Sequence, residues 1–158
     1  MSMLDRVERE ILRILQRDGR MANVELAARV GLSESPCLRR VRALEDRGII
    51  SGYAARVDQR SIGLQVTAFV QVSLEKDDQR TRDFLDAVAA EDYIVECHAM
   101  SGSYDYLLKI VARSMDHFSE LALRGILRFP GVQDIESSFS LATVKHDGPL
   151  PIDAPANP

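Results

Sequence analysis

Arg39, Arg40 and Arg42 sit close together in the run SPCLRRVRALED, where Cys37, Val41 and Leu44 recur at the i, i+4, i+7 spacing of a buried helical stripe. That spacing turns the three guanidinium groups outward, with Leu38 on the boundary. Guanidinium groups ranked along one helix face are suited to a duplex phosphate backbone and to the acceptor edges of guanine. Ser35 reads as an N-cap and Pro36 as the first helical residue, where a missing N–H costs nothing. Ser33 and Ser35 would then flank the end of the helix that enters a groove.

Stepping towards the N-terminus, Asn23 reads as the cap of a shorter helix carrying Val24, Ala27 and Val30, closed by Gly31. The turn Gly31-Leu32-Ser33 joins the two helices. A third helix precedes them, from Asp5 as N-cap to about Arg17, with Val7, Ile11, Ile14 and Leu15 on one face and Asp18-Gly19 at its end. A plain helical hairpin with a solvated arginine face is the rival reading. The scarcity of acids between Pro36 and Leu44, the flanking serines and the preceding helix favour a helix-turn-helix that reads DNA. Asn23 and Ser33 then fall near phosphates, Arg39 near base edges, and Arg40 and Arg42 along the backbone.

The charge distribution agrees with this reading. The 158 residues carry a net charge of -4, unusual for a DNA-binding chain, yet residues 1–56 hold eleven arginines against eight acids while the remainder is acidic. A positive excess this small directs affinity to the placement of the arginines and to dimerisation. Cys37 and Cys97 read as small buried hydrophobes in a reducing cytoplasm. No signal peptide is expected, and no apolar run approaches the ~20 residues of a transmembrane helix.

Residues 1–48 are thus expected to form the helix-turn-helix, winged-helix-like domain, and residues 49–64 a linker strand and hinge. Residues 65–146 form the second domain and residues 147–158 a frayed polar, proline-rich tail. In the second domain Val66, Ala68, Val70, Val72 and Leu74 alternate with Thr67, Phe69, Gln71 and Ser73. A helix over 79–91 follows, with Phe84, Leu85, Val88 and Ala89 inward. Strands over 94–100 and 104–112 flank a turn at Ser101-Gly102-Ser103. A helix over 116–128 carries Phe118, Leu121 and Ala122 inward, with Phe129 beyond it, and leaves Leu123 and Leu127 opposite; a strand over 132–144 ends the domain. The order βαββαβ predicts a ferredoxin-like α+β domain whose four-stranded antiparallel sheet carries both helices on one face. Its other face, with Phe69 and Leu107, calls for a cover, and a second copy is the economical one. Leu123 and Leu127 are either harmless surface leucines or a further contact between copies.

Two places invite a search for chemistry. Cys97 and His98 are adjacent in a strand and point to opposite faces, which rules them out as a chelating or nucleophile-base pair. His98 fits a structural or interface role, and His117 and His146 lack partners at ligand spacing. Neither a glycine-rich phosphate loop, a zinc signature nor a nucleophile elbow is present, so no catalytic residue, metal or cofactor is expected. SGSYDYLLK, residues 101–109, concentrates recognition groups: Gly102 permits positive φ or close approach, and Asp105 sets a carboxylate between two tyrosines, suited to an amino group. On spacing alone a plain hairpin turn, with Asp105 bonding nearby amides, is the better reading.

The run LDRVEREILRILQRDGRMANVELAARVGLSESPCLRRVRALEDRGIISGYAA, from Leu4 to Ala55, closely resembles the Lrp/AsnC ("feast/famine") family of bacterial and archaeal transcription regulators. So do ECHAMSGSYDYLLK, from Glu96 to Lys109, and RFPGVQDIESSFSLATVK, from Arg128 to Lys145. Three blocks in this order cover nearly the whole chain. The resemblance implies a cytoplasmic, nucleoid-associated regulator of amino-acid metabolism, with dimers whose sheets face each other, assembled into octamers that bend DNA. It also implies an amino-acid effector bound between dimers around Met100, Ser101, Gly102, Ser103, Tyr104 and Asp105. Gly102 and Asp105 match family positions tied to ligand response, which reverses the hairpin reading; Ser103 stands where relatives often carry an acid. The alternative is an architectural DNA-binding protein without an effector, and an enzyme is remote.

Overall fold

A computed structural model describes residues 4–152 and divides them into two compact units. The first comprises the chain through Arg56 together with the segment from Lys145 onward; the second is Val57–Val144.

Three helices make the first unit: α1 (Arg6–Leu15), α2 (Asn23–Val30) and α3 (Glu34–Asp46). α1 begins in a capping box, in which the Asp5 carboxylate accepts from the Glu8 N–H at 2.8 Å and the Glu8 carboxylate accepts from the Asp5 N–H at 2.9 Å. The core joins Ile11 and Leu12 of α1, Leu26 and Ala27 of α2, and Cys37 and Leu44 of α3. Here the structure corrects the expected stripe of α2. Val24 is 57% exposed and Leu26 takes the inner place, because α1 packs against a face rotated from the one that valine spacing suggested.

The caps are corrected as well. α2 is preceded by Ala22, which has no side-chain cap, so Asn23 is the first helical residue rather than the cap. α3 starts earlier than expected, with Ser33 at the N-cap position and Glu34, Ser35 and Pro36 forming its first turn. Pro36 remains harmless there, since first-turn amides have no intrahelical acceptor. Gly31, with φ 70, closes α2 in the left-handed conformation that favours glycine.

The expected linker strand does not form: between Arg47 and Gln65 the chain makes turns and unpaired segments. A strand needs a neighbour for its backbone groups, and the described chain offers none here. Nor is the start of the tail frayed, because Leu150 and Ile152 rest on the first unit. The end of the expected tail, 153–158, lies outside the described residues.

The second unit is built as the alternation predicts: β1 (Val66–Leu74), α4 (Asp78–Ala90), β2 (Ile94–Ala99), β3 (Tyr106–Ala112), α5 (Met115–Glu120) and β4 (Val132–Phe139). The strands form one antiparallel sheet in the order β2-β3-β1-β4. Ala68, Val70 and Val72 face Phe84 and Val88 of α4 and Phe118 of α5, so both helices cover the same sheet face. Leu85 and Ala89 are exposed, narrowing the expected stripe of α4 to Phe84 and Val88.

The second helix is shorter than its pattern. After Glu120 the backbone widens into a π turn, Leu121–Gly125, and tightens into a 3-10 turn, Ile126–Arg128. Phe118, Ala122 and Ile126 recur every four residues and are all buried, so Ile126 joins the inner face although the sequence reading did not include it. Leu123 and Leu127 are exposed as expected. β4 stops at Phe139, five residues short of the expected end.

The uncovered sheet face carries a row across all four strands: Glu96, Lys109, Phe69 and Ser138 are consecutive partners. Lys109 donates to Glu96 at 2.5 Å, and His98 lies 3.3 Å from the same carboxylate. Chiefly through the Lys109 hydrogen bond, the Glu96 carboxyl is held below its ordinary pKa. Cys97 points the other way, against the core.

Candidate functional site

Two regions carry the expected recognition groups, one in each unit.

In the first unit α3 presents Leu38, Arg39 and Arg42 as exposed side chains, with Ser33 and Ser35 exposed at its start. This face carries cationic groups on a helix anchored from behind by Cys37 and Leu44, the arrangement a groove-reading helix needs. Arg40 departs from expectation. Its guanidinium is paired with the Asp5 carboxylate of the α1 cap and is only partly exposed. Arg47, at the far end of α3, is bonded at 2.6 Å to Glu8, the other half of the same capping box. The N-terminus of α1 thus braces α3 at two levels.

Asn23 is also committed inward. Its side-chain N–H donates to the Glu34 carbonyl at 3.0 Å and ties the start of α2 to the first turn of α3. Its Oδ1 is buried and has no hydrogen-bond partner among the described residues. The sequence signalled a polar residue at a helix start, and the structure uses it as a brace between helices.

In the second unit the loop from Met100 to Asp105 joins β2 and β3. Met100, Ser101, Gly102, Ser103 and Asp105 are exposed, and Tyr104 is half-buried. Asp105 is held three ways: its N–H donates to the Val72 carbonyl at 2.9 Å, its carbonyl accepts from the Met100 N–H at 2.9 Å, and its Oδ2 accepts from the Leu74 N–H at 2.7 Å. The carboxylate does bond an amide, but one on β1 instead of a loop neighbour. Gly102 has an ordinary φ, and a Cβ built on it would meet nothing within 4 Å. Neither a positive φ nor a close neighbour among the described residues calls for a glycine here.

Beside Asp105 lies a hollow of about 350 Å³, whose charged lining is Glu75, Lys76, Asp77, Asp78 and Asp105. Of the six loop residues singled out from the sequence, only Asp105 lines it. The contribution of Glu75 to Asp78 was missed, although the run EKDD advertises an acidic turn. With four carboxylates to the single ammonium of Lys76, a cavity of this size suits a small ligand bearing an ammonium group. Among the described residues no group of three or more His, Cys, Asp or Glu side chains could hold a metal ion, and no helix is long and apolar enough to cross a membrane.

Comparison with known proteins assigns both regions to described families. Residues 4–51 match a winged helix-turn-helix DNA-binding model, and residues 67–150 match the Lrp/AsnC ligand binding domain. The leucine-responsive regulatory proteins of Escherichia coli (strain K12) and Klebsiella pneumoniae are each 41% identical over 150 residues, spanning 94% of this chain and 92% of theirs. Among solved structures, a transcriptional regulator from Neisseria meningitidis in complex with L-Met is 43% identical. It has a TM-score of 0.92 and covers 95% of this chain and 97% of its own. The feast or famine regulatory protein of M. tuberculosis complexed with L-methionine is 32% identical, with a TM-score of 0.84 over 91% of this chain and 96% of its own.

Proposed function

The chain belongs to the Lrp/AsnC family of transcriptional regulators, and from that premise we propose that it binds specific DNA sites through α3 and adjusts that binding to the level of a free amino acid. The outer face of α3 carries the reading: Leu38, Arg39 and Arg42 are exposed on a helix whose other face is locked into the core. In this role Arg39 reads base edges beside Leu38, and Arg42, Ser33 and Ser35 hold phosphates. Arg40 and Asn23 position α3 through Asp5 and the Glu34 carbonyl.

The effector's ammonium group is received near Asp105 and the acidic turn that follows β1, with Met100, Ser101, Gly102, Ser103 and Tyr104 closing around it from the loop. The methionine complexes of two relatives and the leucine response named in others support a small apolar amino acid. Such a ligand acts only through different affinities for two arrangements of the protein. The working form is a homodimer with the open sheet faces together, assembled further to an octamer. The bare sheet face and the exposed Leu123 and Leu127 support those contacts. The protein acts in the cytoplasm of a bacterium or archaeon, associated with the nucleoid, and has no catalytic role.

A thermal-shift series with the twenty amino acids, followed by DNA titration with and without any hit, tests the proposal. A ligand that prefers the folded assembly raises its melting temperature. DNA binding that no amino acid alters would instead describe an architectural protein.

A further inference from the structure

The first unit has an apolar groove that its three helices do not fill. It measures about 450 Å³ and is lined by Leu12 and Leu15 of α1 with Gln16 at its C-cap, by Ile49 to Tyr53 beyond α3, and by Leu150 to Ile152 from the far end of the chain. Three observations show how that late segment is held. The Gln16 side-chain amide grips the backbone of Leu150 at both ends: Oε1 accepts from the Leu150 N–H at 2.6 Å, and Nε2 donates to the Leu150 carbonyl at 3.3 Å. Ile152 packs against the core of the unit. Arg56 donates to the Asp147 carbonyl at 3.1 Å, pinning the outgoing chain to the returning one.

The sequence of the segment, Gly148-Pro149-Leu150-Pro151-Ile152, suits this contact. Prolines on both sides of Leu150 fix φ and remove their own N–H groups, so the donor that Gln16 accepts from is the one between them. A segment already restricted by proline loses less entropy when it docks. The Leu150 side chain is 75% exposed, so the grip is on its backbone, and Ile152 supplies the apolar anchor.

We propose that residues 148–152 are a clasp that anchors the helix-turn-helix unit to the rest of the chain at a second point. The covalent chain leaves this unit at Arg56 and re-enters it at Lys145. With the clasp closed, the unit is tethered by two segments joined at Arg56 and Asp147, not by one linker. None of the groove residues belongs to the exposed face of α3, so the clasp leaves that face open. Two tethers narrow the orientations of the unit, which raises the effective concentration of a second unit once the first has bound its half-site. This consequence rests on the DNA-binding reading above; the clasp itself does not.

The full-length protein, Gln16→Ala and Ile152→Asp separate the two parts. In the free proteins, amide hydrogen exchange is followed in the segments 12–16 and 148–152. Opening the clasp is expected to speed exchange at Leu150 about ten-fold or more. Exchange equal to that of the parent overturns the clasp. DNA binding is then measured with a duplex recovered from a random pool by the parent protein, and with the same duplex after one half-site is scrambled. Both variants should lose about ten-fold affinity for the intact duplex and none for the scrambled one. Equal losses on both duplexes, or no loss on the intact one, overturn the tether. If the parent selects no duplex, the DNA-binding reading fails, and hydrogen exchange still decides the clasp.

Discussion

The guanidinium of Arg40, on α3, is paired with the carboxylate of Asp5, the residue that caps α1. One carboxylate therefore caps the first helix and pairs with a cation of the third, whose orientation is set mainly by Cys37 and Leu44 in the core. Arg40 was expected to face a phosphate with Arg39 and Arg42, and the pairing separates it from them. It follows that the three arginines should not respond alike to mutation. Arg40→Ala should cost under about 1 kcal/mol of stability, the pair being substantially exposed, and should weaken binding to all DNA sequences similarly. Arg42→Ala should lower the slope of log affinity against log salt by about one, and Arg40→Ala by clearly less. Equal salt slopes for the two variants would return Arg40 to the backbone contacts.

Arg39→Ala should cost about 1–3 kcal/mol of binding at its preferred site and relax specificity at one base pair. A selection experiment with the variant reads this directly. Uniform weakening on every sequence would move Arg39 to the phosphates.

The Asp5 carboxyl is held below its ordinary value of 3.8, first by the Glu8 N–H and next by Arg40. A carboxyl depressed in the folded state stabilises that state above its unfolded pKa, and the contribution disappears as pH falls through the folded value. The first unit should therefore lose stability in acid, below about pH 4. Asp5→Asn keeps a capping side chain and should flatten this acid dependence. Asp5→Ala removes the cap as well and should cost about 1 kcal/mol at neutral pH. Thermal melts between pH 2.5 and 7 distinguish the variants.

Asp105→Asn retains an acceptor for the Leu74 N–H and removes the charge offered to an ammonium group. Titrated with L-methionine and L-leucine, it should show at least a ten-fold loss of ligand affinity, about 1.4 kcal/mol, while DNA binding without ligand is kept. Ligand affinity matching the parent would place the amino group elsewhere.

Ile126 is fully enclosed although it follows a π turn. Ile126→Ala should destabilise the second unit by about 2–5 kcal/mol, whereas Leu123→Ala, at an exposed position, should leave the stability of an isolated chain nearly unchanged. Chemical denaturation measures both. A Leu123→Ala variant that alters the oligomer size instead would identify that face as a contact between copies.

The sequence by itself determined the order of elements, the inward residues of β1 and the outward position of Arg39 and Arg42 on α3. These follow from periods of two and 3.6 residues and from local turn chemistry, which need no knowledge of distant neighbours. Helix boundaries near Asn23 and Ser35 were displaced because neither α2 nor α3 starts on a side-chain cap: Ala22 and Ser33 precede them without one, and Asn23 bonds the Glu34 carbonyl instead. The tertiary structure alone decided which polar groups remain available. Arg40 turns to a carboxylate 35 residues away, Asn23 to a carbonyl on another helix, Asp105 to an amide of β1, and Gln16 to a backbone 134 residues distant. A side chain's reach and charge are written in the sequence, but its partner is whatever the folded chain brings within about 3 Å.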